Sequence, residues 1–260
     1  MIAAKEKSQE IIEKLHTRLT EERYFTSAEF FTYSGEMRGV GKASSKDNMA
    51  WAYFHVCNQD KDKALYFFRK SLNYKTADIS FARNYLVFLF KNGMAKELIQ
   101  AIQKSNTKES FLGSQHFMFE RLFTSILRGD LQEAMRVSDS LINLKNNLSE
   151  LYEAMKKKIH LFSSFSDLKE AELKKLGEIY TNLIEENQLY AVGRFDFRTY
   201  PDVDVNHISL IVSDKHRDII GKLNFDLAYA LASNDCFDDK NFSASVDMSI
   251  QNETINATTL

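Results

Sequence analysis

Carboxylates and imidazoles gather toward the end of this chain. Asp196, Asp202, Asp204, His207, Asp214 and His216 fall within 21 residues, near the ends of two segments that read as strands. Oxygen and imidazole donors of this kind bind a divalent metal and activate water for phosphodiester hydrolysis. The same aspartates have a simpler role, because the stretch from Tyr200 to Asn206 is rich in turn formers and Asp side chains cap local backbone groups there. A metal-dependent nuclease or other hydrolase, with Asp202, Asp204 and His207 as ligands, is one functional alternative. The solvated turn is the reading preferred here, so no metal ligand, catalytic residue or cofactor is assigned.

Other catalytic templates fit less well. Pro201-Asp202 resembles the opening of a Pro-Asp…(Asp/Glu)-x-Lys nuclease motif, but its one downstream counterpart, Asp238-x-Lys240, comes 36 residues later and across a helical pattern. Neighbouring strands of one hairpin normally carry the two halves of that motif. The chain has no Gly-x-Ser-x-Gly elbow, no Gly-x-x-x-x-Gly-Lys-Ser/Thr phosphate loop and no His-Glu-x-x-His. Gly35 to Gly41 is not a dinucleotide fingerprint, since no strand precedes it. Cys57 sits two residues from His55 on a helix, a spacing at which the two do not face each other, so Cys57 reads as a buried small hydrophobe.

The elements around these residues are mostly helical. Polar breaks at Asn58-Gln59-Asp60, Asn92-Gly93 and Gly129-Asp130 each separate two amphipathic segments. The small or apolar residue just inside the second segment falls at Ala64, Leu98 and Ala134, giving spacings of 34 and 36 residues. That period marks stacked helical hairpins, in which no unit buries its apolar face without a neighbour. Helix A of the first hairpin runs from Ser45 to Cys57 and helix B from Lys61 to Asn73. The second pair begins near Ile79 and includes Ala95, Leu98, Ile99 and Ile102, and the third spans about Leu112 to Leu144. A fourth, longer pair covers Leu148 to Phe162 and Leu168 to Asn187, with Asp167 and Glu170 as a capping box. An N-terminal helix over residues 3–23 precedes the array. The aromatic and glycine-rich stretch from residue 24 to 45 reads as a turn and loop.

After residue 188 the period changes. Tyr190–Phe197 and His207–Val212 read as strands and Asp214–Ala232 as a helix. Phe242, Ala244, Val246, Met248 and Ile250 then alternate with polar residues over nine positions, a half-buried strand. The expected organisation is residues 1–188 as N-terminal helix plus repeats, and 189–260 as a small β-β-α-β cap or domain with a polar, frayed tail.

Asn58-Gln59-Asp60-Lys61-Asp62-Lys63-Ala64-Leu65-Tyr66-Phe67-Phe68-Arg69-Lys70-Ser71-Leu72 resembles the turn and second helix of a tetratricopeptide (TPR) repeat, as does Gly129-Asp130-Leu131-Gln132-Glu133-Ala134. The resemblance covers about residues 44–145. Ala52, Leu86 and Leu122 stand where the family favours glycine, and His55, Leu89 and Ser125 where it favours tyrosine. The resemblance implies a mainly α, right-handed array of helical hairpins whose A helices form a groove for a peptide or partner helix. By motif position the groove residues are Tyr53, Arg83, Asn84, Val87, Lys91, Phe119, Phe123 and Arg128. Cations there would pair acidic groups and aromatics would anchor the partner. Taken singly, Val87, Phe119 and Phe123 fit a helix core better, and Arg83 with Asn84 is the stronger contact.

Composition sets the remaining bounds. At 260 residues, with 44% hydrophobic and 27% charged residues, the chain can bury a sizeable core. One proline and nine glycines favour long helices. A net charge of −2 gives no electrostatic reason to expect nucleic acid. There is no apolar leader and no run long enough to span a bilayer, so a soluble, cytoplasmic protein with no membrane partner is expected, and the Asn-x-Ser/Thr sequons are read as chance. Cys57 and Cys236 are too far apart in sequence to suggest a disulfide framework. Function is therefore expected to be non-enzymatic: an intracellular scaffold, adaptor or regulator that binds a protein or peptide through the repeats. A third alternative is a self-assembling structural protein, a homo-oligomer joined through aromatics such as Phe25, Phe30 and Phe31.

Overall fold

The computed structural model describes residues 2–74, 77–105, 114–144 and 147–249. The expectations for Leu112, Ile250 and the polar tail lie outside them. Among the described residues the fold is mainly α, with eleven helices and one small C-terminal sheet of three strands. The chain packs as two compact units, Met1–Tyr85 and Leu86–Leu260. The division falls inside a helix rather than at residue 188, so the strands share a unit with the later hairpins.

The first unit contains α1 (Ile2–Thr20), α2 (Ser27–Met37), α3 (Ser45–Cys57), α4 (Lys61–Leu72) and the start of α5 (Ile79–Lys91). The stripe predicted on α1 is buried through Ile11 and Leu15, and α1 packs on α3. α2 occupies half of the segment read as turn and loop, which is a correction to that reading. The cause is a capping box that the aromatic composition obscured: Thr26 caps the helix, and the Glu29 carboxylate accepts from the Thr26 N–H at 2.8 Å. Hydrogen bonds from the Thr26 backbone and hydroxyl, together with one from Arg18 at 2.7 Å, hold the Glu29 carboxyl down at about 2. α3 and α4 approach closely because Ala64 and Ser71 meet them with small side chains. The Ser45 hydroxyl donates to Ser71 O and the Ser71 hydroxyl to Ser45 O, both at 2.9 Å, so two buried hydroxyls satisfy each other's backbone.

The second unit continues α5 and adds α6 (Ala95–Ser105), α7 (Gln115–Leu127), α8 (Leu131–Ile142), α9 (Ser149–Phe165), α10 (Glu170–Glu186), β1 (Ala191–Tyr200), β2 (Val205–Val212), α11 (Ile220–Ala232) and β3 (Ser243–Met248). β1 and β2 are antiparallel, with Phe197 opposite Ile208. β2 and β3 are parallel, with Leu210 opposite Val246 and α11 as the crossover. A short 3₁₀ turn, Asp214–Ile219, precedes α11, so the predicted helix is regular only from Ile220. The expected Asp167 cap is also displaced. Asp167 is left-handed (φ 53°) and lies outside the helix, while Glu172 accepts from the Lys169 N–H at 2.6 Å.

Three hairpins close on the same turn. Gln59, Gly93 and Gly129 are left-handed, with φ of 57°, 64° and 68°. The next N–H in each case donates five residues back: Asp60 to His55 O at 2.9 Å, Met94 to Leu89 O at 3.0 Å and Asp130 to Ser125 O at 2.9 Å. This is a Schellman ending, repeated at the 34- and 36-residue spacing seen in the sequence. Asp60 and Asp130 then cap the following helices by accepting from the N–H of Lys63 and Glu133. In the second unit α10 and the residues just after it run against two of these turns. A Cβ on Gly93 would lie 2.6 Å from the Gln188 carbonyl carbon, and one on Gly129 only 2.3 Å from that of Leu173. Glycine is required there both for φ and for the approach.

Candidate functional site

The groove residues predicted on the first unit are Tyr53, Arg83 and Asn84. Tyr53 lies on α3 and is buried. Its hydroxyl accepts from Asn84 Nδ2, and burial raises its pKa, keeping the phenol protonated. Phe68 meets Tyr53 edge-on at 6.2 Å and stacks obliquely on Tyr85 at 5.4 Å. Tyr53 is thus a core residue with one polar contact, not a surface anchor, and Asn84 is its partner. Arg83, on α5 beside Asn84, is half-buried. Among the described residues no hydrogen-bond acceptor or carboxylate partners its guanidinium. A partly desolvated guanidinium gains from a charge-assisted hydrogen bond.

The second unit holds Val87, Lys91, Phe119, Phe123 and Arg128. Phe123 is a correction: it is buried, and the Phe90 and Phe195 rings pack on it at 5.1 and 5.5 Å. Phe195 comes from β1, whose inner face (Phe195 and Phe197, with Ile208 and Leu210 of β2) covers α7. The sheet therefore fills, from within the same chain, the face that the repeat resemblance assigned to a partner. Phe119 and Val87 are half-buried. Arg128 is held by Asp130 at 3.2 Å, and Lys91 already has a partner. A cavity of about 230 Å³ opens beside Phe117, Met118, Arg121, Val137 and Ser140. Its arginine is already neutralised, since the buried Glu133 carboxylate binds Arg121 and, at 3.3 Å, Arg136.

The acidic and histidine residues of the C-terminal segment do not converge. Among the described residues no group of three or more His, Cys, Asp or Glu side chains is placed to hold a metal ion. Asp202 and Asp204 are exposed in the β1–β2 turn, where Asp204 is left-handed (φ 52°) and accepts from Asn241. His207 points across the outer sheet face instead. Nδ1 meets the Ser243 hydroxyl at 2.7 Å, and Nε2 meets Ser209 at 2.9 Å and Ser245 at 3.0 Å. Both ring nitrogens are thus committed to hydroxyls, and desolvation lowers the pKa of His207. His216 Nε2 accepts from the Tyr190 N–H at 2.9 Å, a structural bond. Asp196 is bound by Lys158 at 2.9 Å and Arg198 at 2.7 Å. These placements give hydrogen-bonded turns and a polar ladder across the strands, not a ligand set with an open position for water.

Burial pushes the Cys57 thiol up to about 12, so it remains an un-ionised core group. The aromatic patch predicted at Phe25, Phe30 and Phe31 is mostly internal. Phe25 and Phe30 pack on Phe54 at 5.5 and 5.7 Å, and of the three only Phe31 is well exposed. Among the described residues the most exposed aromatics besides Phe31 are Phe225 and Tyr229 on α11, each 70% exposed, and sequence reasoning missed both. Their signal was present, because α11 carries apolar residues on both sides and only one can face the sheet. Among the described residues no helix is long and apolar enough to cross a membrane. Compared with protein-family models, with curated proteins and with solved structures, the chain matches none of them.

Proposed function

We propose that this chain is a non-catalytic binding scaffold of TPR-like helical hairpins, and that Arg83 on its first unit pairs with an acidic group of a partner protein or peptide. The observation that carries this reading is the state of Arg83: half-buried, on a helix, and without an acceptor among the described residues. Leaving a guanidinium so placed costs solvation that a partner carboxylate would return, and a bidentate pair would also fix orientation. Helix α3 supports the position, since the Asn84 amide is tied to the hydroxyl of the buried Tyr53. A rigid, preformed contact lowers the ordering cost of binding.

This reading moves the contact away from the aromatic groove first expected. Phe123 is buried and Arg128 has a local ion pair, so this reading does not use them. The test is affinity capture from the cells that express the chain, with wild type, Arg83→Lys and Arg83→Glu. A stoichiometric partner should bind wild type, bind Arg83→Lys more weakly through charge alone, and be lost with Arg83→Glu at unchanged helicity and melting temperature. Equal capture by all three variants would remove Arg83 from the interface, and unfolding of Arg83→Glu would make Arg83 structural.

A further inference from the structure

The hairpin of α7 and α8 carries the cavity of about 230 Å³ beside Phe117, Met118, Arg121, Val137 and Ser140. Helical spacing brings these residues together. Phe117, Met118 and Arg121 lie along one side of α7, and Val137 and Ser140 along one side of α8. The turn at Gly129-Asp130 sets the two helices against each other. Val137 and Ser140 are the short members of the lining, so the hairpin does not fill the space beside Phe117.

Most of the lining is apolar. Phe117 and Val137 are buried and Met118 is half-buried. A ring, a branched aliphatic and a polarisable thioether together favour contact with an aromatic ring. The two polar members keep hydrogen-bonding capacity in reserve. Arg121 donates through Nη2 to Glu133. Among the described residues neither its Nη1 nor its buried Nε has an acceptor. Ser140 donates its hydroxyl proton to Arg136 O at 3.2 Å, so its oxygen keeps a lone pair for an incoming N–H.

Charge and size select the ligand class. Glu133 is buried and already binds both Arg121 and Arg136. An incoming carboxylate would approach that second carboxylate in a partly desolvated setting, which disfavours it. A neutral carbonyl needs only the spare N–H. A cavity of about 150 Å³ accommodates one benzene ring, or about 25 Å³ per heavy atom. On that scale 230 Å³ accommodates about nine heavy atoms.

We infer that this cavity binds a small neutral aromatic carboxamide of about the size of benzamide. Its ring lies against Phe117, Met118 and Val137, its carbonyl accepts from Arg121, and its amide N–H donates to Ser140. A nucleoside is too large for the space. The inference is independent of the Arg83 reading, because the residues belong to the other unit and the ligand is not a protein.

Titration of the full chain with benzamide, up to about 10 mM and read by NMR of labelled methionine methyl groups, tests it. The signal lost in Met118→Leu identifies Met118. That signal should shift and saturate with a Kd of about 0.1–1 mM, the range that about nine heavy atoms supply. Toluene has the ring without the amide, and benzoate has a carboxylate in its place. Each should bind at least about fivefold more weakly. Ser140→Trp, altered only at an exposed position, should fill the space and abolish the shift with circular dichroism unchanged. Arg121→Gln should lower benzamide affinity to that of toluene and leave toluene binding as it was. If Arg121→Gln does not fold, the three ligands on wild type and on Ser140→Trp still decide the matter. A Met118 signal indifferent to benzamide overturns the inference, as does a response that persists in Ser140→Trp. Toluene or benzoate binding as tightly as benzamide would overturn it equally.

Discussion

Replacing Gly129 by alanine probes the turn that the whole repeat pattern rests on. Gly129 is left-handed, with φ 68°, and forcing a non-glycine residue into that region costs about 1–2 kcal/mol. The new Cβ would also sit 2.3 Å from backbone atoms of Leu173, where about 3.4 Å is ordinary contact. Neither group is a flexible side-chain end, so α10 or the turn must move by about 1 Å, at an overpacking cost of about 1–3 kcal/mol. Stiffening of the unfolded chain returns about 0.4–1 kcal/mol. The net loss is therefore about 2–4 kcal/mol, or about 5–15 °C in melting temperature for a chain of this length. Gly35→Ala serves as the control. Gly35 lies within α2 with no neighbour within 4 Å, and alanine there should be neutral or stabilise by up to about 1 kcal/mol. Urea unfolding followed by far-UV circular dichroism reads both. If Gly129→Ala stayed within about 0.5 kcal/mol of wild type, α10 would not lie on that turn and the close approach would be refuted.

Two further outcomes separate structural residues from recognition residues. Phe123→Ala should lose about 3–5 kcal/mol in denaturant unfolding, because the ring fills space between Phe90 and Phe195; a loss below about 1 kcal/mol would return Phe123 to the surface. His55 is buried between aromatic rings, stacked on Phe67 at 5.4 Å, and desolvation lowers its pKa to about 4 from the usual 6.5, although Asp60 opposes the shift. The unfolded chain then binds the extra proton between those values, so stability is full above about pH 6.5 and falls as pH drops toward 4, by roughly 2–3 kcal/mol from this group. His55→Phe should lack that component, and parallel pH profiles for the two proteins would contradict the assignment.

Much of this fold was legible because its signals are local. Three breaks at constant spacing became three turns of one geometry, since the left-handed residue and the N–H that follows it are fixed by helix termination itself. Period-two alternation after residue 242 became β3. What was missed depended on competition or on distance. Thr26 and Glu29 made a helix out of a stretch whose aromatic and glycine content suggested a loop. Phe123 was assigned to a groove because its position in the repeat points there, and nothing in its own sequence neighbourhood announces that Phe195, 72 residues later, fills that face. His207 looked like a metal ligand in a linear run of aspartates, but strand register set it among Ser209, Ser243 and Ser245. The double-sided character of α11 was readable in its composition. Which side would remain uncovered was settled only by the packing of Leu223 and Leu227.

The scaffold reading stands most directly on whether another protein's acid lies at Arg83. Ser80 is exposed one turn before Arg83 on the same helix, so a photo-reactive phenylalanine at position 80 reports on that face without touching the guanidinium. Irradiation in the cells that express the chain should give one discrete adduct, with the linked peptide rich in Asp or Glu, and the adduct should vanish when Arg83→Glu is added. An adduct indifferent to that change, or none at all, would contradict the account.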